Sequence, residues 1–216
     1  MKKSVSEIFN RLFLNYPELV VCKEDIINTF NALVQCYEKG GKVLICGNGG
    51  SAADSEHIVG ELMKGFILKR EIPFEDKEKI KAAFPEDADY LAGNLQRALP
   101  AISLISQTSL STAFINDMAA DMVYAQQVYG YGQKGDVLIG ISTSGNAYNV
   151  VNAVKIAKAF GIKTIGITGE SGGMLKDLCD LTIKVPAKET FRIQEYHLPV
   201  YHALCAALEE EFFGRE

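Results

Sequence analysis

Five short apolar runs set the limits on how this chain can fold: 42–46 (KVLIC), 101–106 (AISLIS), 136–142 (DVLIGIS), 163–169 (KTIGITG) and 181–186 (LTIKVP). Most are continuously apolar rather than alternating, as strands covered on both faces are. The stretches between them read as helices at 51–64, about 75–95, 109–130, 147–160 and 171–179, with a last helix at about 191–212. Ahead of the first run, residues 4–37 carry two helical apolar faces. Val5, Ile8, Phe9, Leu12 and Phe13 form one, and Ile26, Ile27, Phe30, Leu33 and Val34 the other, with an interruption near Pro17 and a stop at Gly40-Gly41. Strands alternating with helices predict a doubly wound α/β fold: a five-stranded parallel sheet flanked by helices. A length of 216 residues with 48% apolar content supports one large core and no second full domain, so residues 1–216 are expected to form a single domain with an N-terminal helical region at 1–40.

A net charge of −5 gives no overall attraction to nucleic acid or to an anionic membrane, so any anion site must be local. The start, MKKSVSEIFNRLF, has two lysines, but Glu7, Asn10 and Arg11 break any signal-like apolar stretch. No run approaches a bilayer span, and a cytoplasmic location is the expectation. The five cysteines contain no C-x-x-C pair and several lie in apolar runs, which predicts reduced, buried thiols. Residues 69–96 are charge-rich. They read as an inserted helical segment with Ile80, Ala83, Phe84 and Leu91 as one apolar stripe, capping the domain or a neighbour's site.

Two loops carry the chemistry. Gly47-Asn48-Gly49-Gly50-Ser51 follows the first run, and Ser142-Thr143-Ser144-Gly145-Asn146 follows the third. Each joins a buried strand to a helix. Small residues let the backbone approach a ligand, and the helix start offers free N–H groups to an anion. Either loop alone reads as a tight turn with a helix cap. The two together predict a phosphosugar cradle beyond the carboxyl ends of the strands. Gly47-x-Gly49-x-x-Ala52 also matches a dinucleotide fingerprint, but the second strand and its acidic residue are missing. The lysine of a P-loop is missing too, and no nucleotide cofactor is expected. A two-part weak similarity, GGKVLICGNGGSAAD against KGDVLIGISTSGNAYN, is compatible with duplication or with convergent loop chemistry.

The titratable candidates lie on two helices. His57 and Glu61 are four apart, and Gln194 and His202 are eight apart, each pair on roughly one helix side. Two imidazoles, a carboxylate and an amide suit either a divalent cation or an acid/base pair. Taken singly, a His/Glu pair at this spacing is an ordinary surface contact, and His197 is equally a packing residue.

The segments GGKVLICGNGGSAADSEHIVGEL, IND, GDVLIGISTSGNAYNVV and RIQEYH…YH resemble the phosphoheptose isomerases of the sugar-isomerase (SIS) fold family, over nearly all the chain except about 69–96. The resemblance implies isomerisation of sedoheptulose 7-phosphate to D-glycero-D-manno-heptose 7-phosphate through an enediol. It implies substrate contacts at Asn48, Gly49, Gly50, Ser51, Glu61, Asn116, Asp117, Ser142, Thr143, Ser144 and Gln194, with Glu61 and His202 as the acid/base pair. It also implies zinc at His57, Glu61, Gln194 and His202, and a homotetramer with sites at subunit interfaces. Ala147 stands where the family commonly has serine, and Phe191 where it has a small or acidic residue; both bear on the identity of the sugar. Two other readings stay open: an isomerase of a different phosphosugar, and a non-catalytic SIS module that senses a phosphosugar or binds a protein. Glu61 and His202 favour the enzyme.

Overall fold

The structure is a computed structural model and describes residues 1–214. Helix α1 (Lys3–Asn15), a 3-10 turn (Pro17–Cys22) and helix α2 (Lys23–Glu38) come first. Then follow β1 (Val43–Gly47), α3 (Gly50–Met63), α4 (Phe74–Ala83), α5 (Ala88–Asn94), β2 (Ala101–Ser103), α6 (Thr108–Asp117), a 3-10 turn (Ala120–Met122) and α7 (Val123–Tyr131). The remainder is β3 (Val137–Ile141), α8 (Tyr148–Ala159), β4 (Lys163–Thr168), α9 (Leu175–Leu178), β5 (Leu181–Lys184) and α10 (Thr190–Phe213). The five strands form one parallel sheet in the order β2-β1-β3-β4-β5.

The strands are apolar throughout because both faces are covered. Val43 and Ile45 point into a core shared with α1, α2, α3 and α10, whereas Leu44 and Cys46 point into a second core under α7 and α8. Strand order therefore reverses between β1 and β3, and the connections leave to opposite faces there. In a sheet of this order a crevice opens between the loops that follow those two strands.

Three sequence expectations are corrected. The helix expected over 109–130 is broken into α6, a 3-10 turn and α7. The one expected near 171–179 shrinks to Leu175–Leu178, because Gly172 and Gly173 both take positive φ. The segment near 75–95 is two helices, since a residue before proline avoids helical backbone, and Phe84, before Pro85, sits at φ −140°. The break divides the apolar residues between them: Phe84 and Leu91 are exposed, and of the two helices only Ala88 is buried. The excursion is tied at its feet instead, by the Glu71–Gln96 bridge and the Arg97 N–H donating to the Arg70 carbonyl at 2.8 Å.

Candidate functional site

The two Gly/Ser loops meet at the β1/β3 crevice, in a cleft of about 350 Å³. Asn48 to Ser51, Ser142 to Ser144, Ala147, Thr190 and Gln194 line it. Local geometry explains the glycines. Gly49 takes φ 57°, ψ −122°, a conformation that only glycine adopts freely, and so turns β1 into α3. A side chain on Gly50 would run into the Gln194 amide, so glycine here lets α10 lay Gln194 against the loop. In the second loop, Gly145 (φ 69°) packs on the Gly172 backbone. The Asn146 side chain accepts from the Met174 N–H at 2.9 Å, fixing the turn against the β4 connection.

Asn48 is locked in place by residues that sequence reading missed. Its amide exchanges two hydrogen bonds of 2.9 Å with Asn149 at the start of α8, and the Tyr124 hydroxyl lies 3.1 Å from its Oδ1 and 2.8 Å from the Gly47 carbonyl oxygen. The first loop is thus tied to the helix that follows the second. Neither partner carried a sequence signal, because each lies outside the loop motifs.

The titratable cluster lies further along the α3–α10 contact. Asp54, His57 and Glu61 share one face of α3, and Tyr201 and His202 face them from α10. His57 Nε2 is 3.3 Å from Glu61 Oε1, and His57 Nδ1 is 3.0 Å from the Tyr201 hydroxyl. That hydroxyl donates to Asp54 Oδ1 at 3.3 Å. The rings of His57 and His202 meet edge to face with centroids 4.9 Å apart. Burial pushes the His202 imidazole down, and the neighbouring His57 adds to this while Glu61 opposes it. Burial likewise raises the Asp54 carboxyl, offset in part by Tyr201 and His57.

Glu61 Oε2 and His202 Nε2 are buried without a hydrogen-bond partner, although Lys64 Nζ lies 3.8 Å from that Glu61 oxygen. Buried polar atoms of this kind call for a ligand, a proton partner or a cation. The donor types of His57, Glu61, His202 and Gln194 suit zinc. The side chains stand closed on one another, however: among the described residues no three His, Cys, Asp or Glu side chains surround a common point. Gln194 and His202 are separated by eight residues of α10, roughly 12 Å of helix.

Not every expected residue joins these two groups. Asn116 and Asp117 end α6 in exposed positions, where the Asn116 amide donates to Asp117 Oδ1 at 2.8 Å, and they do not line the cleft. His197, which the sequence left between ligand and packing, is buried, and burial pushes its imidazole down to about 4.

A buried clamp fixes the far end of α3. Glu209 of α10 accepts from the N–H groups of Phe66, Ile67 and Leu68 at 2.8, 2.7 and 3.0 Å and from Arg70 Nε at 2.7 Å. Arg70 in turn donates to the carbonyls of Leu62 at 2.7 Å and Glu61 at 2.9 Å. Arg70, at the foot of the charge-rich segment, and Glu209 of α10 are each about 1% exposed.

Comparison with known proteins agrees with this architecture. The SIS domain family matches residues 21–77 and 82–169, so the match is interrupted only at 78–81 within the charge-rich segment. A phosphoheptose isomerase of Nitratiruptor sp. is 41% identical over 212 residues, covering 98% of this chain and 94% of the relative. Another, from Clostridium acetobutylicum, is 41% identical over 193 residues, or 89% and 85%. Among solved structures, a phosphoheptose isomerase from Neisseria gonorrhoeae superimposes with TM-score 0.69 at 32% identity, covering 93% of this chain and 98% of that one. One from Francisella tularensis gives TM-score 0.72 at 28% identity, covering 97% and 100%. Fold, loop chemistry and near full-length identity agree, and the chain belongs to the SIS-domain family and, within it, to the phosphoheptose isomerases.

Proposed function

We propose that the chain interconverts sedoheptulose 7-phosphate and D-glycero-D-manno-heptose 7-phosphate, an aldose–ketose isomerisation through an enediol. The observation that carries the reading is the full-length identity to phosphoheptose isomerases, joined to a cleft whose two loops are built for a phosphorylated ligand.

The phosphate would rest in the cradle of Asn48, Gly49, Gly50 and Ser51 on one side and Ser142, Thr143 and Ser144 on the other. Backbone N–H groups and hydroxyls meet its charge there without a cationic side chain. Gln194, already against Gly50, would contact the sugar. Asn116 and Asp117 stay in the proposed substrate set by resemblance.

Glu61 would act as the base that moves the proton between C1 and C2. His202 would serve as the partner acid/base, moving a proton at oxygen or carbon. Burial shifts its imidazole toward the neutral form, the one able to accept a proton. By resemblance, His57, Glu61, Gln194 and His202 would hold a zinc ion once these side chains, closed on one another here, turned toward a common point; bound there, it would polarise the sugar carbonyl. Support for an assembly, proposed as a homotetramer, comes from apolar side chains left exposed on separate elements, including Leu14, Val21, Ile67 and Met118. Among the described residues no helix is long and apolar enough to cross a membrane, and a cytoplasmic site of action is part of the proposal.

A substrate panel tests the reading. Purified protein is incubated with sedoheptulose 7-phosphate and with pentose and hexose phosphates, and products are followed by NMR. Turnover of the heptulose phosphate above the others is expected; turnover of none would contradict the proposal.

A further inference from the structure

The parallel ladder between β1 and β3 ends at Gly47 and Ile141, so the sheet does not hold the two loops beyond those residues. Among the described residues, one direct hydrogen-bonded link joins residues 48–51 to 142–149. It is the pair of Asn48 and Asn149 amides, 101 positions apart in sequence, which exchange two bonds of 2.9 Å. Asn149 makes this link from the first turn of α8. Ala147 stands at the N-cap of that helix and has no side chain able to cap it. Asn149 Oδ1 supplies an acceptor in its place and takes the Val150 N–H at 3.0 Å. The same oxygen accepts from the Asn48 amide across the crevice, so Asn149 is held from its own helix and from the first loop at once.

We propose that Asn149 is a positioning residue for the phosphosugar: by holding the Asn48 amide, it orders the first loop against the second before the ligand arrives. The inference rests on the proposed reading that this cleft takes the phosphosugar.

Asn48 is exposed in the cleft wall. An exposed side chain with no partner samples several rotamers and has to be ordered when a ligand binds. One that is already paired avoids that cost at the binding step. The pair itself is open to water, where amide–amide hydrogen bonds replace amide–water ones with little net gain, so it adds little to the stability of the fold. Its consequence falls on ligand binding instead. Asn149 lines no part of the cleft, and it acts on the ligand through Asn48.

A double-mutant cycle on the full-length protein tests this. The unsubstituted chain, Asn48→Ala, Asn149→Ala and the double variant are confirmed folded by circular dichroism, and KM and kcat for sedoheptulose 7-phosphate are measured. Asn149→Ala should raise KM roughly 3- to 10-fold, the usual cost of ordering one side chain at binding, with kcat nearly unchanged. In the Asn48→Ala background the same substitution should raise KM no further, because residues that act as a unit are not additive. An equal rise in both backgrounds would show that Asn149 acts through the start of α8 rather than through Asn48, and would overturn the inference. An unaltered KM in Asn149→Ala would overturn it as well. A second readout needs no substrate. The Asn48 side-chain NH2 resonances of ¹⁵N-labelled protein, identified by their loss in Asn48→Ala, should shift in Asn149→Ala, and unaltered resonances would count as refutation. If even the unsubstituted protein fails to turn over sedoheptulose 7-phosphate, the functional reading falls, while the resonances still decide whether Asn149 holds Asn48.

Discussion

Removing the Glu209 carboxylate tests whether the clamp behind the site is a structural requirement. Glu209→Ala deletes the acceptor for three backbone N–H groups and for Arg70 Nε, and leaves the guanidinium buried with only the Leu62 and Glu61 carbonyls. Breaking a buried pair by deleting one partner costs about 3–5 kcal/mol, because the remaining charge is stranded. A domain is stable by only about 5–15 kcal/mol, so the variant should unfold at a much lower urea concentration. Adding Arg70→Met removes the stranded charge and should recover part of the loss. The N–H groups of Phe66, Ile67 and Leu68 remain without their acceptor, but they are only partly buried and can turn to water. Urea unfolding followed by circular dichroism at pH 7 gives both numbers, and limited proteolysis should show faster cutting between residues 64 and 97 in Glu209→Ala. A loss under about 1 kcal/mol would refute the reasoning, since that is the range of an exposed pair. A double variant no more stable than Glu209→Ala would show that stranded charge is not the dominant cost.

Three further outcomes are expected. Ser142→Leu should weaken binding of a sugar phosphate by filling the cradle; isothermal titration with unchanged affinity would count against that site. Burial holds the His197 imidazole down at about 4, while in the unfolded chain it titrates near 6.5, so the unfolded chain takes up the proton first. Its share of stability is therefore complete above about pH 6.5 and drains away toward pH 4, with about 2 kcal/mol lost by pH 5, and urea midpoints at pH 7 and 5 should differ less in His197→Leu. Metal analysis of protein purified without added zinc should find near-stoichiometric metal if His57, Glu61, Gln194 and His202 hold it, and full activity after verified metal removal would contradict an obligatory catalytic ion.

Much of the fold was legible because burial on both faces leaves a plain mark: the continuous apolar runs located all five strands. The two loops were legible for a related reason, since Gly49 and Gly145 need backbone space or positive φ that few other residues tolerate. What sequence concealed depends on contacts between distant segments. Asn149 and Tyr124 look like ordinary helix residues until α7 and α8 bring them to Asn48. Arg70 and Glu209 look like surface charges, and 139 residues separate them. The 109–130 stretch misled in the opposite way: its apolar content suits one helix, but tertiary packing divides it.

The most direct test of the central claim is the turnover of Glu61→Gln on sedoheptulose 7-phosphate. Glutamine nearly keeps the size of the side chain and removes the carboxylate that faces His57 Nε2. If Glu61 moves the proton between C1 and C2, kcat should fall about 10²–10⁴-fold with the fold intact by circular dichroism and substrate affinity little changed. Unaltered turnover in the folded variant would contradict the account, and an equal loss of affinity and turnover would assign Glu61 to binding rather than to proton transfer.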